Sequence, residues 1–135
     1  MAIRLAEIDA VLEEIRGRIV GAPLQQVRVP APDRLVLTLR SPGETLHLLV
    51  VVQSRHTRIH TIPRPPANPA KALAMQGRLR ALLRGRCTAL SRIGDDRIVG
   101  LDLGHLSLRI ELTGRHGNVF VLDADGTLLA SLLPT

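Results

Sequence analysis

Residues 110–123 read Ile-Glu-Leu-Thr-Gly-Arg-His-Gly-Asn-Val-Phe-Val-Leu-Asp. Apolar runs flank Gly114-Arg115-His116-Gly117-Asn118, a pattern that predicts two strands joined by a turn. The two glycines permit a positive φ or the close approach of another backbone. Consecutive amides in such a turn can bind an anion, and Arg115 and His116 would add charge beside it. From spacing alone, we favour a plain hairpin turn with exposed polar residues.

A second motif, Asp96-Arg97, opens the apolar run 98–103. An Asp beside an Arg at a strand end can orient the guanidinium, or each group can face a different partner. Arg engages phosphate or a guanine edge, and Asp accepts from an amino or hydroxyl group, so the pair suits nucleic acid. For an arbitrary pair, the ordinary interpretation is a surface ion pair that contributes about 0–1 kcal/mol.

Around these motifs, the hydrophobic period alternates between helix and strand. Helical spacing near the N-terminus, and again after a proline-rich link at 63–69, predicts two helices, the second over 70–84. The run 46–52 is so continuously apolar that we expect both of its faces to be covered. Nine shorter segments read as strands divided by turns: 24–29, 34–40, 46–52, 58–62, 88–93, 97–103, 106–112, 118–123 and 127–132. This order predicts an α+β fold, a β-sandwich of mostly antiparallel strands flanked by two helices.

Length and composition indicate one globular domain over residues 1–135, with 45% apolar residues. Phe120 is the only aromatic residue, so stacking on aromatic rings is not expected to drive binding of single strands. The net charge is +6, and every basic residue except Lys71 is Arg. This charge is compatible with nucleic acid or an anionic membrane. An Arg-rich, Lys-poor composition also results from a GC-rich genome, and composition does not separate these explanations.

The number of cysteines and the hydropathy of the chain indicate its cellular compartment. Cys87 is the only cysteine, so no intramolecular disulfide can form, and a cytoplasmic location is favoured. The first apolar stretch carries Arg4, Glu7 and Asp9, unlike a signal peptide. No segment has the unbroken apolar length of a membrane span, and we expect no membrane partner.

Catalytic and metal-binding patterns are missing from the sequence. It contains no Gly-rich nucleotide loop, nucleophile elbow or triad motif, so we expect neither an enzyme nor a cofactor. His56 and His60 are four residues apart, but in a strand that separation is about 13 Å, so we expect no metal site. Arg55 and Arg58 could extend a basic surface, the alternative being an ordinary solvated face.

These residues together resemble the N-terminal domain of the NFACT family, ribosome quality-control proteins also called fibronectin-binding proteins. The most specific pieces are Asp-Arg-Ile-Val at 96–99 and Glu-Leu-Thr-Gly-Arg-His-Gly-Asn at 111–118. Leu-Val-Leu-Thr-Leu-Arg at 35–40 and Pro-Ala-Asn-Pro at 66–69 carry weaker likeness. The resemblance covers most of the chain and implies a fold similar to the N-terminal domain of formamidopyrimidine-DNA glycosylases.

The resemblance also implies a function. Full-length members bind a large ribosomal subunit that carries a stalled nascent peptide and recruit tRNA, alanyl-tRNA in bacteria, to add a C-terminal tail without a template. The family's Asp-Arg pair is implicated in tRNA engagement, and that role carries over to Asp96 and Arg97 only. We therefore expect an RNA-binding module with tRNA and the large ribosomal subunit as partners. The candidate nucleic-acid-binding residues are Asp96, Arg97, Arg115, His116, Asn118 and Arg58.

Three departures from the family pattern matter. Residues 70–74 lack the Phe that usually follows the Pro-x-x-Pro segment. The chain begins Met1-Ala2-Ile3 instead of with the catalytic Pro and Glu of the glycosylases, so base excision is not expected. It stops at Thr135, and we expect either a fragment of a longer protein, whose other domains it would contact, or a stand-alone truncated homologue. The alternatives are a glycosylase-like DNA-binding domain without catalysis and a fibronectin-binding or protein-docking domain.

Overall fold

The computed structural model describes residues 2–53 and 55–135. Two helices and nine strands follow one another in the predicted order. In chain order they are α1 (Leu5–Ile19), β1 (Leu24–Ala31), β2 (Arg34–Ser41), β3 (Glu44–Val51), β4 (Arg58–Ile62), α2 (Ala74–Leu82), β5 (Ala89–Arg92), β6 (Ile98–Asp102), β7 (Leu106–Glu111), β8 (Asn118–Asp123) and β9 (Leu128–Ser131).

The strands form two antiparallel meanders. One sheet has the order β1-β2-β3-β4, and the other has the order β5-β6-β7-β8-β9. Alternate residues of each strand, such as Leu35, Leu37 and Leu39, point into one shared core that both sheets line. The predicted α+β sandwich is therefore confirmed.

Helix α1 packs against strands of both sheets. Its buried stripe consists of Ile8, Leu12, Ile15 and Ile19, the spacing that the sequence predicts. Polar contacts fasten its exposed side to each sheet: Arg18 pairs with Glu44 at 2.7 Å, and Asp9 pairs with Arg92 at 2.6 Å. Neither described helix has the length and apolar character needed to cross a membrane.

Helix α2 is shorter than the predicted 70–84. Leu73 and Leu83 flank it with extended backbone, and Leu83 is buried in the core. The carbonyl of Gly85 then accepts the amide of Leu24 at 2.8 Å, so the chain has to leave the helix early to reach β1. The apolar periodicity that continues to Leu83 therefore reflects burial outside the helix, and Arg84 is exposed.

The edge strand β1 also differs from its predicted end at residue 29, because it runs through Pro30 to Ala31. A proline is tolerated on an edge strand, and α2 occupies the edge groups that precede it. The side-chain oxygen of Gln76 accepts the amide of Val29 at 2.9 Å, and Arg80 donates to the carbonyl of Val27 at 2.8 Å.

The prediction that both faces of β3 are covered is also confirmed. Val36, Leu49 and Val51 form a second buried cluster, separate from the main core, with Ile62 packed against it. These residues share the face of the four-stranded sheet that points away from α1's buried stripe, since their neighbours Leu37, Leu48 and Val50 line the main core.

Candidate nucleic-acid interface

The segment between β7 and β8 is a tight turn in which the two glycines have different tasks. Gly114 has φ +89°, which favours glycine. At Gly117, an added Cβ would lie 3.1 Å from the carbonyl oxygen of Glu111 and 3.1 Å from Cγ2 of Thr57. The amide of Gly117 donates to the carbonyl of Gly114 at 3.0 Å and closes the turn. Both reasons for glycine that the sequence offers are thus realised, one at each position.

Thr57 is the residue against which this turn packs. Its side-chain hydroxyl donates to the carbonyl of Leu112 at 3.0 Å, and its own carbonyl accepts the amide of Ile3 at 2.9 Å. Thr57 is 1% exposed. Three parts of the chain therefore meet at Thr57: the N-terminal segment, the loop before β4 and the turn after β7.

Arg97 lies on the other side of the same turn. Its Nη2 donates to the carbonyl of Thr113 at 3.1 Å, and its backbone carbonyl accepts the amide of Leu112 at 2.8 Å. The side chain is half-buried, so the guanidinium is held in place while part of it still faces solvent. A fixed guanidinium loses less conformational freedom when it binds an anion.

Asp96 does not orient that guanidinium. Its Oδ1 accepts the backbone amide of Arg97 at 2.7 Å, and among the residues that the structure describes no ion pair joins the two side chains. The exposed carboxylate leads into β6 and is directed to solvent. Of the two arrangements that the sequence left open, the structure has the one in which Asp96 and Arg97 face different groups.

The remaining predicted cations belong to the segments that meet at Thr57. Arg58 follows Thr57 and begins β4, while Arg115 and His116 form the tip of the turn, and all three are exposed. No hydrogen bond or ion pair to these three side chains occurs within the described part of the chain. Arg55 lies in the loop before β4 and has φ 95°. Such a conformation is uncommon outside glycine and persists only where the surroundings hold it.

Asn118 takes a different part from the one predicted for it. It is 5% exposed, its Oδ1 accepts the amides of Val119 and Leu133 at 2.8 Å each, and its Nδ2 donates to the carbonyl of Leu133 at 3.1 Å. The amide group therefore fastens the C-terminal segment to the start of β8. A side chain so enclosed offers no surface to a nucleic acid, and its predicted direct contact is corrected here to a structural one.

A cavity of about 360 Å³ adjoins the junction, between the start of α1 and strand β4. Its lining includes the polar residues Glu7, Arg58 and His60 and the apolar residues Val11 and Ile59. Hydrogen bonds from the Arg4 side chain and backbone lower the pKa of Glu7. The Glu7 carboxylate is therefore a hydrogen-bond acceptor at neutral pH, and it lines the same cavity as Arg58.

Sequence reasoning missed Thr57, although a signal for it exists. Alternation along β4 puts residue 57 on the inward side with Ile59, so a polar residue there needs an internal partner. His60 lies in β4 and His56 precedes it, so the pair does not have helical spacing. Within residues 2–53 and 55–135, no three potential His, Cys, Asp or Glu ligands cluster as a metal site would require.

Comparison with known proteins gives a family. The chain matches the family model described as NFACT N-terminal and middle domains over residues 5–133. It is 27% identical to the protein named Rqc2 homolog RqcH of Streptococcus pneumoniae serotype 2, over a 123-residue alignment that covers 84% of this chain and 22% of that protein. The chain thus spans 22%, about a fifth, of the length of the curated relatives it matches.

Solved structures share the fold. The N-terminal domain of fibronectin-binding protein PavA from Streptococcus pneumoniae superposes with a TM-score of 0.85 at 24% identity, covering 95% of this chain and 52% of that one. The N-terminal part of the fibronectin/fibrinogen-binding protein from Streptococcus suis gives 0.86 at 20% identity, covering 93% and 51%. At these identities the likeness is one of fold.

Proposed function

This chain belongs to the NFACT family, a family of ribosome quality control, and we propose that it is an RNA-binding module that engages tRNA and the large ribosomal subunit. The domain binds without catalysing a reaction, and it acts in the cytoplasm, where both partners are found. Arg58, Arg97, Arg115 and His116 form the contact surface, here called the cationic junction.

The proposal rests on one observation: both sheets supply cations to the cationic junction. Arg58 comes from the four-stranded sheet, whereas Arg97 and the turn at 113–117 come from the five-stranded sheet. The Thr57 hydroxyl bond to Leu112 ties these two parts together. Cations fixed on a rigid frame can match the spacing of phosphates without an ordering cost at binding.

Phosphate contacts provide most of the affinity. Each Arg that neutralises a phosphate releases condensed counterions, so binding weakens as salt rises. Asp96 and Glu7, both exposed at the edge of the cationic junction, accept from ribose 2′-hydroxyls or base amino groups. These acceptors favour RNA over DNA, because DNA lacks the 2′-hydroxyl.

Fluorescence anisotropy of labelled tRNA tests the proposal, over a salt series and with duplex DNA as competitor. The Asp96→Ala/Arg97→Ala double variant is compared with a control that removes the same two charges elsewhere, Arg84→Ala/Asp125→Ala. Both control residues are exposed, and Asp125 follows the far end of β8.

We expect salt-sensitive tRNA binding that DNA does not displace, a loss of about tenfold or more in the Asp96/Arg97 variant, and no change in the control. Equal losses in both variants would reduce the domain to a generic basic surface. Absence of binding by the folded wild type would refute RNA binding by this domain.

A second candidate function is binding of a host matrix protein. It is favoured by the names of the solved structures with this fold, which are called fibronectin- or fibrinogen-binding proteins. Immobilised fibronectin separates the candidates: saturable binding that tRNA does not displace, and that survives the Asp96→Ala/Arg97→Ala change, would favour the host protein over RNA.

A further inference from the structure

The outer face of the five-stranded sheet carries a concave site away from the cationic junction. Across four neighbouring strands, Ser91, Gly100, Arg109 and Phe120 stand opposite one another in register. Leu90 beside Ser91, and both neighbours of each of the other three, belong to the core, so these four face outward. The chain's single aromatic ring therefore lies on this face, beside an arginine.

Small residues make the face concave. A cavity of about 180 Å³ opens beside Gly100, and the Ile93 side chain lies over that glycine, 3.1 Å from the position of an added Cβ. The cavity lining also includes Ala89, Ser91, Ser107, Arg109 and Leu122. Ile93 is 37% exposed. A cavity of roughly 150 Å³ holds a benzene ring, so this one has room for a flat ring system.

Two charged side chains line the cavity: the guanidinium of Arg109, which can donate two parallel hydrogen bonds, and the carboxylate of Asp102, which can accept. Glu111 holds the Nε of Arg109 at 2.7 Å, which fixes the guanidinium plane. Asp102 accepts the amide of Gly104 at 2.8 Å through Oδ1, which leaves Oδ2 with no partner among the described residues. Arg donates to O6 and N7 of guanine, and carboxylates accept from base amino groups.

We propose that this cavity binds one unpaired guanine of the RNA, with the ring against the Ile93 side chain that covers Gly100 and beside Arg109. The inference rests on the proposed function, which supplies the RNA. Gly100 lies three residues after Arg97, which immediately precedes β6, so about 10 Å of extended chain separates the two positions. An RNA bound at both sites would pass around the end of β6, because Gly100 faces outward while position 97 has the opposite parity.

The first test uses GMP as a probe and does not need tRNA. GMP is titrated to about 10 mM against ¹⁵N-labelled protein, since a lone base binds in the millimolar range. We expect the amide resonances of Ser91, Gly100 and Ser107 to shift, with UMP as the matched probe shifting them less. Absence of shifts would overturn the cavity as a base site, and equal shifts with UMP would overturn the guanine assignment.

Gly100→Val fills the cavity. The position lies outside the positive-φ region, and an added Cβ would meet Cδ1 and Cγ1 of Ile93 at 3.1 Å and 3.4 Å, so the Ile93 side chain has to move aside for the change. Gly17→Val is the control, because nothing lies within 4 Å of a Cβ at that helix position. We expect Gly100→Val to abolish the GMP shifts and weaken tRNA binding about tenfold, and Gly17→Val to change neither.

The GMP titration and the tRNA-binding measurement together separate failure of this inference from failure of the proposed function. GMP binding blocked by Gly100→Val, with tRNA affinity unchanged, would overturn RNA as the occupant and point to another ligand with a flat ring. Arg109→Lys provides a second variant that keeps the charge and removes the fork, and undiminished GMP binding in it would also contradict the inference. If wild-type protein binds no tRNA at all, the proposed function fails, and RNA is excluded as the occupant with it.

Discussion

The hydroxyl of Thr57 donates to the carbonyl oxygen of Leu112 at 3.0 Å, across 55 positions of sequence. Both residues are buried, and they belong to the two different halves of the sandwich. The bond sets the position of Arg58, the next residue, relative to the turn that carries Arg115. We therefore expect fold stability and the geometry of the cationic junction to depend on this buried side chain.

Thr57→Val tests this dependence, because it keeps the shape of the side chain and removes the donor. The Leu112 carbonyl then loses its side-chain partner in a buried position, which we expect to cost about 1–3 kcal/mol of unfolding free energy. Thr57→Ser keeps the hydroxyl and should retain most of this stability. Urea unfolding measures both variants.

The hydrogen bond between Thr57 and Leu112 should also affect tRNA binding. We expect tRNA affinity to fall in Thr57→Val by a few-fold at temperatures where the variant is folded, although none of the proposed contact residues has changed. A Thr57→Val protein as stable and as tight-binding as Thr57→Ser would show that the junction does not depend on this bond.

The charge at the turn tip can be tested through salt dependence. Arg115→Gln removes one exposed cation, and if Arg115 contacts a phosphate the slope of log K against log salt should become shallower by about 1. Arg84→Gln is the matched control, since Arg84 is also exposed and lies beyond the C-terminal end of α2. Equal slopes in the two variants would contradict a specific contact at Arg115.

Local patterns account for most of the fold. Alternation placed Leu35, Leu37 and Leu39 in the core, and the glycines at 114 and 117 marked a turn whose backbone demands them. The end of α2 could not be read in this way. Leu83 keeps the helical period but is drawn into the core by the strand contact that follows, and periodicity does not distinguish these two environments.

The candidate site was predicted only in part for a similar reason. Arg97 and Arg115 stand in recognisable motifs, but their placement relative to Arg58 depends on Thr57, whose partner Leu112 follows a strand of the other sheet. Asn118 belongs to the same motif as Arg115, yet its amide points inward to Leu133. A motif states which residues occur together in sequence, whereas the direction of each side chain follows from strand parity and long-range partners.

Asn118→Ala should affect stability and leave RNA binding intact. The substitution removes the acceptor of the Leu133 amide and the donor to its carbonyl, so we expect a loss of about 2 kcal/mol and at least tenfold faster exchange of the Leu133 amide hydrogen. Hydrogen exchange followed by NMR measures the second effect. Weakened tRNA binding with unchanged exchange at Leu133 would restore Asn118 as a contact residue.

Alkaline pH should destabilise the protein through its one cysteine. Cys87 is 0% exposed, and burial raises the pKa of its thiol from 9.0 to about 11. The folded state keeps the neutral thiol while the unfolded chain ionises it, so the contribution is complete below pH 9 and is lost as pH rises through 11. The expected decrease in unfolding free energy is about 2 kcal/mol.

The composition makes this effect measurable. The chain has no Tyr, and Lys71 is its only lysine, so few other groups titrate between pH 9 and 11. Urea unfolding across this range, with a non-thiol reductant present, should show the decrease in the wild type and a nearly flat profile in Cys87→Ala. The comparison uses the slopes with pH, because the alanine variant also loses packing at every pH. Parallel slopes in the two proteins would mean that the Cys87 thiol ionises as readily when folded as when unfolded.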